Sequence, residues 1–261
     1  MTEDRRAVRS LISFWADAGV DTLYEAAPVN RMSRGAALAN SRPAATLATS
    51  QPAAQVVDSG AARDLAFAAD DLAELGAAIA AFDGCPLKTQ GARQAVFFRG
   101  APDAPVMIIG EAPGADEDAQ GAPFVGRAGK LLDRMLAAAG LEGRVFITNT
   151  VFWRPPGNRT PTPVEQQACA AFLERAIDLV RPRYLLLAGA ASTKAMLDQK
   201  EGILALRGRW FEWRARFIDL EIPALPTLHP AFLLRQPGAK KKAWQDLLLL
   251  AERLDRSERT T

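Results

Sequence analysis

His229 is the single histidine among 261 residues, so any chemistry that needs an imidazole near neutral pH falls to it. It follows the apolar run 223–228 directly. Asn149 holds the matching place after the run 145–148, and Glu111 stands in the turn GEAPG after the run 105–109. A fourth run, 184–187, leads into Ala188, Gly189 and Ala190. An imidazole, an amide and a carboxylate brought together can donate to, accept from and exchange protons with a bound polar ring. The loop GAPFVG adds Phe124 between glycines, a poor core residue but a flat surface on which a base can stack. Each has a plainer reading. The Gly-Pro turn serves as a connection, His229 as a satisfied structural side chain, Asn149 as a turn cap, and Phe124 as packing beneath its own loop. Glu111, Asp116, Glu117 and Asp118 read equally well as a solvated acidic loop.

The order of elements decides between these readings. From about residue 95, short apolar runs alternate with helical periodicity. Strands are expected at 105–109, 145–148, 184–187 and 223–228, a hairpin at 210–220, and helices at 130–139, 163–180, 192–197 and 239–254. Thr162, Pro163 and Glu165 make a helix start. Alternating β and α units imply an α/β fold of three layers, α/β/α, around a central mainly parallel sheet. In such sheets ligands bind beyond the carboxyl ends of the strands. That rule puts Glu111, Asn149, Gly189 and His229 on one edge.

Upstream, Val8, Leu11, Ile12 and Trp15 recur at helical spacing over 4–18, and a further helical stretch covers 62–82. Between them lies a stretch rich in Ala, Ser, Pro and Gln. The chain divides into an N-terminal helix and extension (1–33), a flexible linker (34–60), the α/β domain (61–255) and a tail (256–261). Hydrophobic residues make up 49% and charged residues 24%, an ordinary globular composition. No apolar run reaches the roughly 20 residues that span a bilayer, and the start lacks the order of a signal peptide, so a cytoplasmic location is expected. A net charge of +2 argues neither for nor against nucleic acid. Cations cluster late in the chain, at Arg207, Arg209, Arg214, Arg216, Arg235 and Lys240–Lys242, as a solvated face or a phosphate-facing patch. Two distant cysteines, Cys85 and Cys169, exclude a secreted disulfide framework.

The strings GEAPGADEDAQGAPFVGRAGKLLDRML, ITNTVFWRPPGNRTPTPVE, LLLAGAAS, LRGRW and LHPAFLLR, in this order over about 85–250, resemble the uracil-DNA glycosylase superfamily, and most closely its iron–sulfur, family-four branch. The resemblance implies a monofunctional enzyme that flips uracil out of DNA and hydrolyses its N-glycosidic bond, with no lyase step, starting base-excision repair. It implies that Glu111 and the backbone at Ala112 wall the uracil pocket and that Phe124 stacks on the base. Asn149 would read the Watson–Crick edge and His229 would bond O2. Leu234 or Arg235 would fill the vacated space in the DNA, with Arg127 and Lys240 as further DNA contacts. The best-known branch carries a water-positioning aspartate where Ala112 stands here. That role passes to Glu111 or Glu117, with Asp116 and Asp118 behind them. Gly114 stands where other branches carry a bulky residue against the thymine methyl, which leaves thymine, hypoxanthine and xanthine open as substrates.

The chain departs from the branch at its cluster. Four thiolates hold a [4Fe-4S] cluster, and only Cys85 and Cys169 match ligand positions. Phe82 and Trp153 occupy the other two, and neither ring ligates iron. No cofactor is therefore expected; the two rings would fill the vacated volume as an aromatic plug. DNA containing uracil, single- or double-stranded, is the expected partner, with the chain a monomer. The rival class is a non-catalytic binder of uracil-containing or abasic DNA that keeps the pocket. A third reading, a nucleotide-binding or partner-recruiting protein, would not need the Leu-Leu-Arg wedge.

Overall fold

A computed structural model of the chain describes residues 59–259. The helix expected over 4–18 and nearly all of the expected linker lie outside the described residues. The elements are α1 (Ser59–Phe67), α2 (Leu72–Ala81), β1 (Arg99–Gly100), β2 (Val106–Gly110), α3 (Ala115–Gln120), α4 (Arg127–Ala138), β3 (Val145–Asn149), α5 (Pro163–Val180), β4 (Tyr184–Ala188), α6 (Ala190–Leu197), α7 (Ile203–Leu206), β5 (Phe211–Arg214), β6 (Glu221–Thr227), α8 (Pro230–Arg235) and α9 (Lys240–Arg259). The strands form one sheet in the order β1-β3-β2-β4-β6-β5. The four inner strands are parallel; β1 and β5 close the edges antiparallel.

Successive residues of a strand point to opposite faces. Met107, Ile109, Phe146, Leu185 and Leu187 pack with Leu75, Ile79, Phe172 and Ile177 of α2 and α5. Val106, Ile108, Val145, Ile147 and Leu186 pack with Leu132 and Leu136 of α4 and Leu247, Leu250 and Leu254 of α9. With helices over both faces, every position of these strands is buried, which is why they read as unbroken apolar runs rather than alternating ones. The expected three-layer architecture is present.

Helix α5 starts where Thr162 and Pro163 indicate. The Thr162 hydroxyl accepts from the Glu165 N–H at 3.3 Å, and the Glu165 carboxylate accepts from the Thr162 N–H at 2.8 Å. Three elements differ from expectation. The single helix expected over 62–82 is two, because the Asp71 carboxylate accepts from the N–H groups of Ala73 and Glu74 and starts α2 afresh. The hairpin pairs β5 with β6, not within 210–220: Trp213 lies opposite Ile222. The closing helix runs to Arg259, so most of the expected tail is helical.

The LRGRW segment ties α9 to the end of β6. Arg207 forks onto the fully buried carboxylate of Asp246, which also accepts from the Thr227 hydroxyl at 2.8 Å. Gly208 passes close above: a Cβ there would lie 2.8 Å from Asp246 Oδ1, at a φ of +72°. Burial raises the Asp246 pKa, and the bonds from Arg207 and Thr227 oppose it. Asp246→Ala would strand the Arg207 charge. Its expected cost is about 3–5 kcal/mol in urea unfolding, against little for an exposed control such as Asp255→Ala.

Candidate active site

The parallel strands carry their last residues to one edge, and a cavity of about 680 Å³ opens there. Glu111, Ala112, Gly114, Glu117, Phe124, Asn149 and His229 all line it. Residues as distant in sequence as Glu111 and His229 meet because each follows a strand end, as the crevice rule requires.

Asn149 is the last residue of β3 and is 1% exposed. It sits beside Gly110, its partner in the β2–β3 ladder. A Cβ on Gly110 would fall 2.4 Å from Asn149 Oδ1 and 2.6 Å from the Phe124 ring. Glycine there lets the amide and the ring approach each other at the floor of the cavity.

Phe124 is buried and has a left-handed backbone, φ 55°, unusual for a bulky residue. Three contacts impose it. Arg99 donates to the Pro123 and Phe124 carbonyls at 2.8 and 3.1 Å and pairs with Asp133 at 2.6 Å. Glu117 accepts from the N–H groups of Val125 and Gly126 at 3.0 and 2.9 Å. Gly129 admits the strained loop, since a Cβ there would lie 1.6 Å from the Phe124 carbonyl oxygen. Strain over-determined by its surroundings in this way is typical of functional sites.

His229 caps α8, and its Nδ1 accepts from the Ala231 N–H at 3.1 Å. A ring nitrogen that accepts carries no proton, so the neutral imidazole holds its hydrogen on Nε2. Its ring lies 5.5 Å from that of Phe124, tilted by 32°. Burial, reinforced by the positive charge of Arg235 and opposed by Glu117, lowers its pKa from 6.5 to about 4. The imidazole is therefore neutral at physiological pH. The unfolded chain takes up this proton near pH 6.5 and the folded chain resists until about pH 4, so stability falls as pH drops through that window. Urea midpoints at pH 7.5 and 5.0 are expected to converge in His229→Phe relative to the parent. An equal drop in both proteins would place the shift elsewhere.

Several expected roles are altered by this geometry. Glu117 lines the cavity, but its two oxygens take three backbone N–H groups, including that of Gly114 at 3.1 Å. That is a clamp between the GEAPG turn and the Phe124 loop rather than a free carboxylate for a water. Asp118 is buried and accepts from the Arg93 N–H at 2.8 Å, while Asp116 is exposed; neither lines the cavity. Leu234 packs half-buried beside Leu228 and Leu233, whereas Arg235 and Phe232 line the cavity. Arg127 and Lys240 are exposed and outside it. Reading the sequence did not find Arg99, Phe232 or Arg159. Arg159 also lines the cavity and is forked onto Glu165 at 2.9 and 2.6 Å.

Phe82, Cys85, Trp153 and Cys169 are all buried in the hydrophobic core on the face of the sheet that α2 and α5 cover. The two sulfurs are 4.0 Å apart, with the Cys169 thiol donating. The Phe82 ring packs 5.1 Å from that of Phe172 and fills the space over Gly84.

Residues 97–248 match the family model for the uracil DNA glycosylase superfamily. The type-4 uracil-DNA glycosylase of Pyrobaculum aerophilum is 39% identical over 184 residues, 69% of this chain and 92% of that protein. That of Sulfurisphaera tokodaii is 41% identical over 164 residues, 60% and 74% of the two chains. That of Thermotoga maritima is 39% identical over 153 residues, 58% and 77%. The matched span contains every cavity residue named above, and with it the chain belongs to the uracil DNA glycosylase superfamily, in its type-4 branch.

Proposed function

We propose that this chain is a uracil-DNA glycosylase, which receives uracil flipped out of DNA and hydrolyses its N-glycosidic bond. The observation that carries this reading is His229, held neutral with its proton on Nε2, facing the same cavity as Phe124 and Asn149. The names of the type-4 relatives support it. A base acted on by an enzyme is taken out of the stack and read by stacking and edge hydrogen bonds. Phe124 supplies the stacking face. The Asn149 amide accepts from uracil N3–H and donates to O4; cytosine presents the opposite pattern and leaves both groups unpaired, at about 1–3 kcal/mol each. As the C1′–N1 bond breaks, its electron pair passes to uracil, and His229 Nε2–H bonds the charge growing on O2. Glu111, the cavity carboxylate not committed to the loop clamp, holds the water that adds to the sugar carbon and takes its proton.

The residues at the cluster positions do not fit a [4Fe-4S] cluster, because two of four ligand positions hold aromatic rings packed into the core. The reading therefore has no cofactor, and apolar burial by Phe82 and Trp153 holds the wall that metal ligation would otherwise hold. The chain acts as a monomer, in the cytoplasm, on uracil in single- or double-stranded DNA; among the described residues no helix is long and apolar enough to cross a membrane. Arg235 enters the space that the base leaves. Arg235→Ala is expected to weaken binding to uracil-containing DNA about tenfold, with a smaller change in kcat. Unchanged affinity and rate would remove that role.

The function is tested by mixing the protein with excess uracil-containing oligonucleotide and quantifying free uracil by mass spectrometry. Many equivalents of uracil per protein are expected. A stoichiometric complex with no free uracil would instead establish the rival reading, a binder of damaged DNA.

A further inference from the structure

A second cavity of about 580 Å³ adjoins the first, and Thr160 and Ala191 belong to the walls of both. It lies between the first half of α5 and helix α6. Its apolar surface comes from Ala170, Leu173 and Met196. Gln166 and Gln167 add side-chain amides, and Lys194 and Arg216, both exposed, add two cations against the single carboxylate of Asp198. The two residues common to both walls, Thr160 and Ala191, have short side chains. A nucleotide needs these three things in one groove: cations for phosphate, an apolar surface for the face of a base, and amides for its edge. The groove shares two wall residues with the cavity proposed to take a flipped base, so a nucleotide next to that base is the occupant within reach.

We propose that this groove is a subsite for the nucleotide flanking the flipped uracil on one side, bound in single-stranded form, with Lys194 and Arg216 on its phosphates. The proposal rests on the glycosylase reading only for the position of the uracil. Recognition here is by stacking and charge, so it favours an unpaired flank without selecting its sequence.

The test uses labelled single strands with uracil at the 5′ end, in the interior or at the 3′ end, and the double variant K194Q/R216Q. Both side chains are exposed, and urea unfolding checks that the variant folds as the parent does. Affinity by fluorescence polarisation and the KM and kcat for uracil release are measured on each strand, at several salt concentrations. For the parent, removing the flank on one side, and only one, is expected to raise Kd and KM about tenfold, the order of loss of a stacked base with its phosphate contacts. The double variant is expected to show the higher values on the full strand, a salt slope shallower by about 1.4, an unchanged kcat, and no further loss when that flank is removed. Equal affinities of parent and variant on every strand would overturn the subsite, as would an equal loss from either flank. A parent that releases no uracil would overturn the glycosylase reading instead, and the polarisation data would still decide the groove.

Discussion

His229→Ala is expected to lower kcat for uracil release by about 10²–10³-fold while leaving KM and the affinity for uracil-containing DNA nearly unchanged. The imidazole is neutral, since burial and the charge of Arg235 bring its pKa down to about 4, and its Nδ1 is engaged by the Ala231 N–H. It therefore contributes little to the charge-neutral ground state and most when negative charge develops on the leaving base. A donor already oriented by the Ala231 N–H requires no reorganisation at that moment. The same geometry fixes the pH behaviour: no loss of rate from protonation of His229 is expected between pH 8 and about pH 5, because that proton arrives only near pH 4. Single-turnover rates for parent and variant over this range check both statements. A variant within a few-fold of the parent rate would remove His229 from the reaction.

Asn149→Ala carries the second large effect. The amide is 1% exposed, at the end of β3, against Gly110 and the Phe124 ring. In the proposed reading, deleting it leaves the N3–H and O4 of a bound uracil without their partners. Two such groups at about 1–3 kcal/mol each correspond to a loss in kcat/KM on the order of 100-fold or more. The loss falls on both KM and kcat, because these bonds exist before the glycosidic bond breaks as well as after. This split separates Asn149 from His229, whose effect is on kcat alone. Kinetics on uracil-containing single strands measure it; an Asn149→Ala enzyme with parental kcat/KM would show that the base edge is read elsewhere.

The layers and the strand edge were legible because long-range order here follows local pattern. Four apolar runs alternating with helices force a parallel sheet, and the crevice rule then gathers Glu111, Asn149 and His229 without further information. The start of α5 was legible from Thr162, Pro163 and Glu165, since a capping box is purely local. What was not legible depends on partners distant in sequence. Glu117 reads as one more acid in a charged loop, and only the fold shows it clamping Gly114, Val125 and Gly126. Arg99 has no motif at all, yet it holds the loop that carries Phe124. The break at Asp71 was missed because apolar periodicity runs through it, and β6 was read apart from β5 because only sheet register shows that they pair. Leu234 reads as a wedge by its place after His229-Pro230; that stretch is helical, and Leu234 is half-buried against the cluster that includes Leu228 and Leu233.

The replacement of cluster ligands was the most local reading of all, since two side chains without a donor atom suffice to argue it. In the fold, Phe82 and Trp153 are buried in the same hydrophobic core as the two thiols. The proposed glycosylase and the proposed absence of a cluster thus make one claim: aromatic packing stands where two of the thiolate ligands would be. The most direct test incubates one purified sample with a uracil-containing oligonucleotide, cleaves with alkali and resolves the strands on a gel, while its iron content and visible spectrum are recorded. Strand cleavage at the uracil position, with no iron and no absorbance near 400 nm, where such clusters roughly absorb, is the expected result. Cleavage lost on removal of iron from a brown sample would contradict the account.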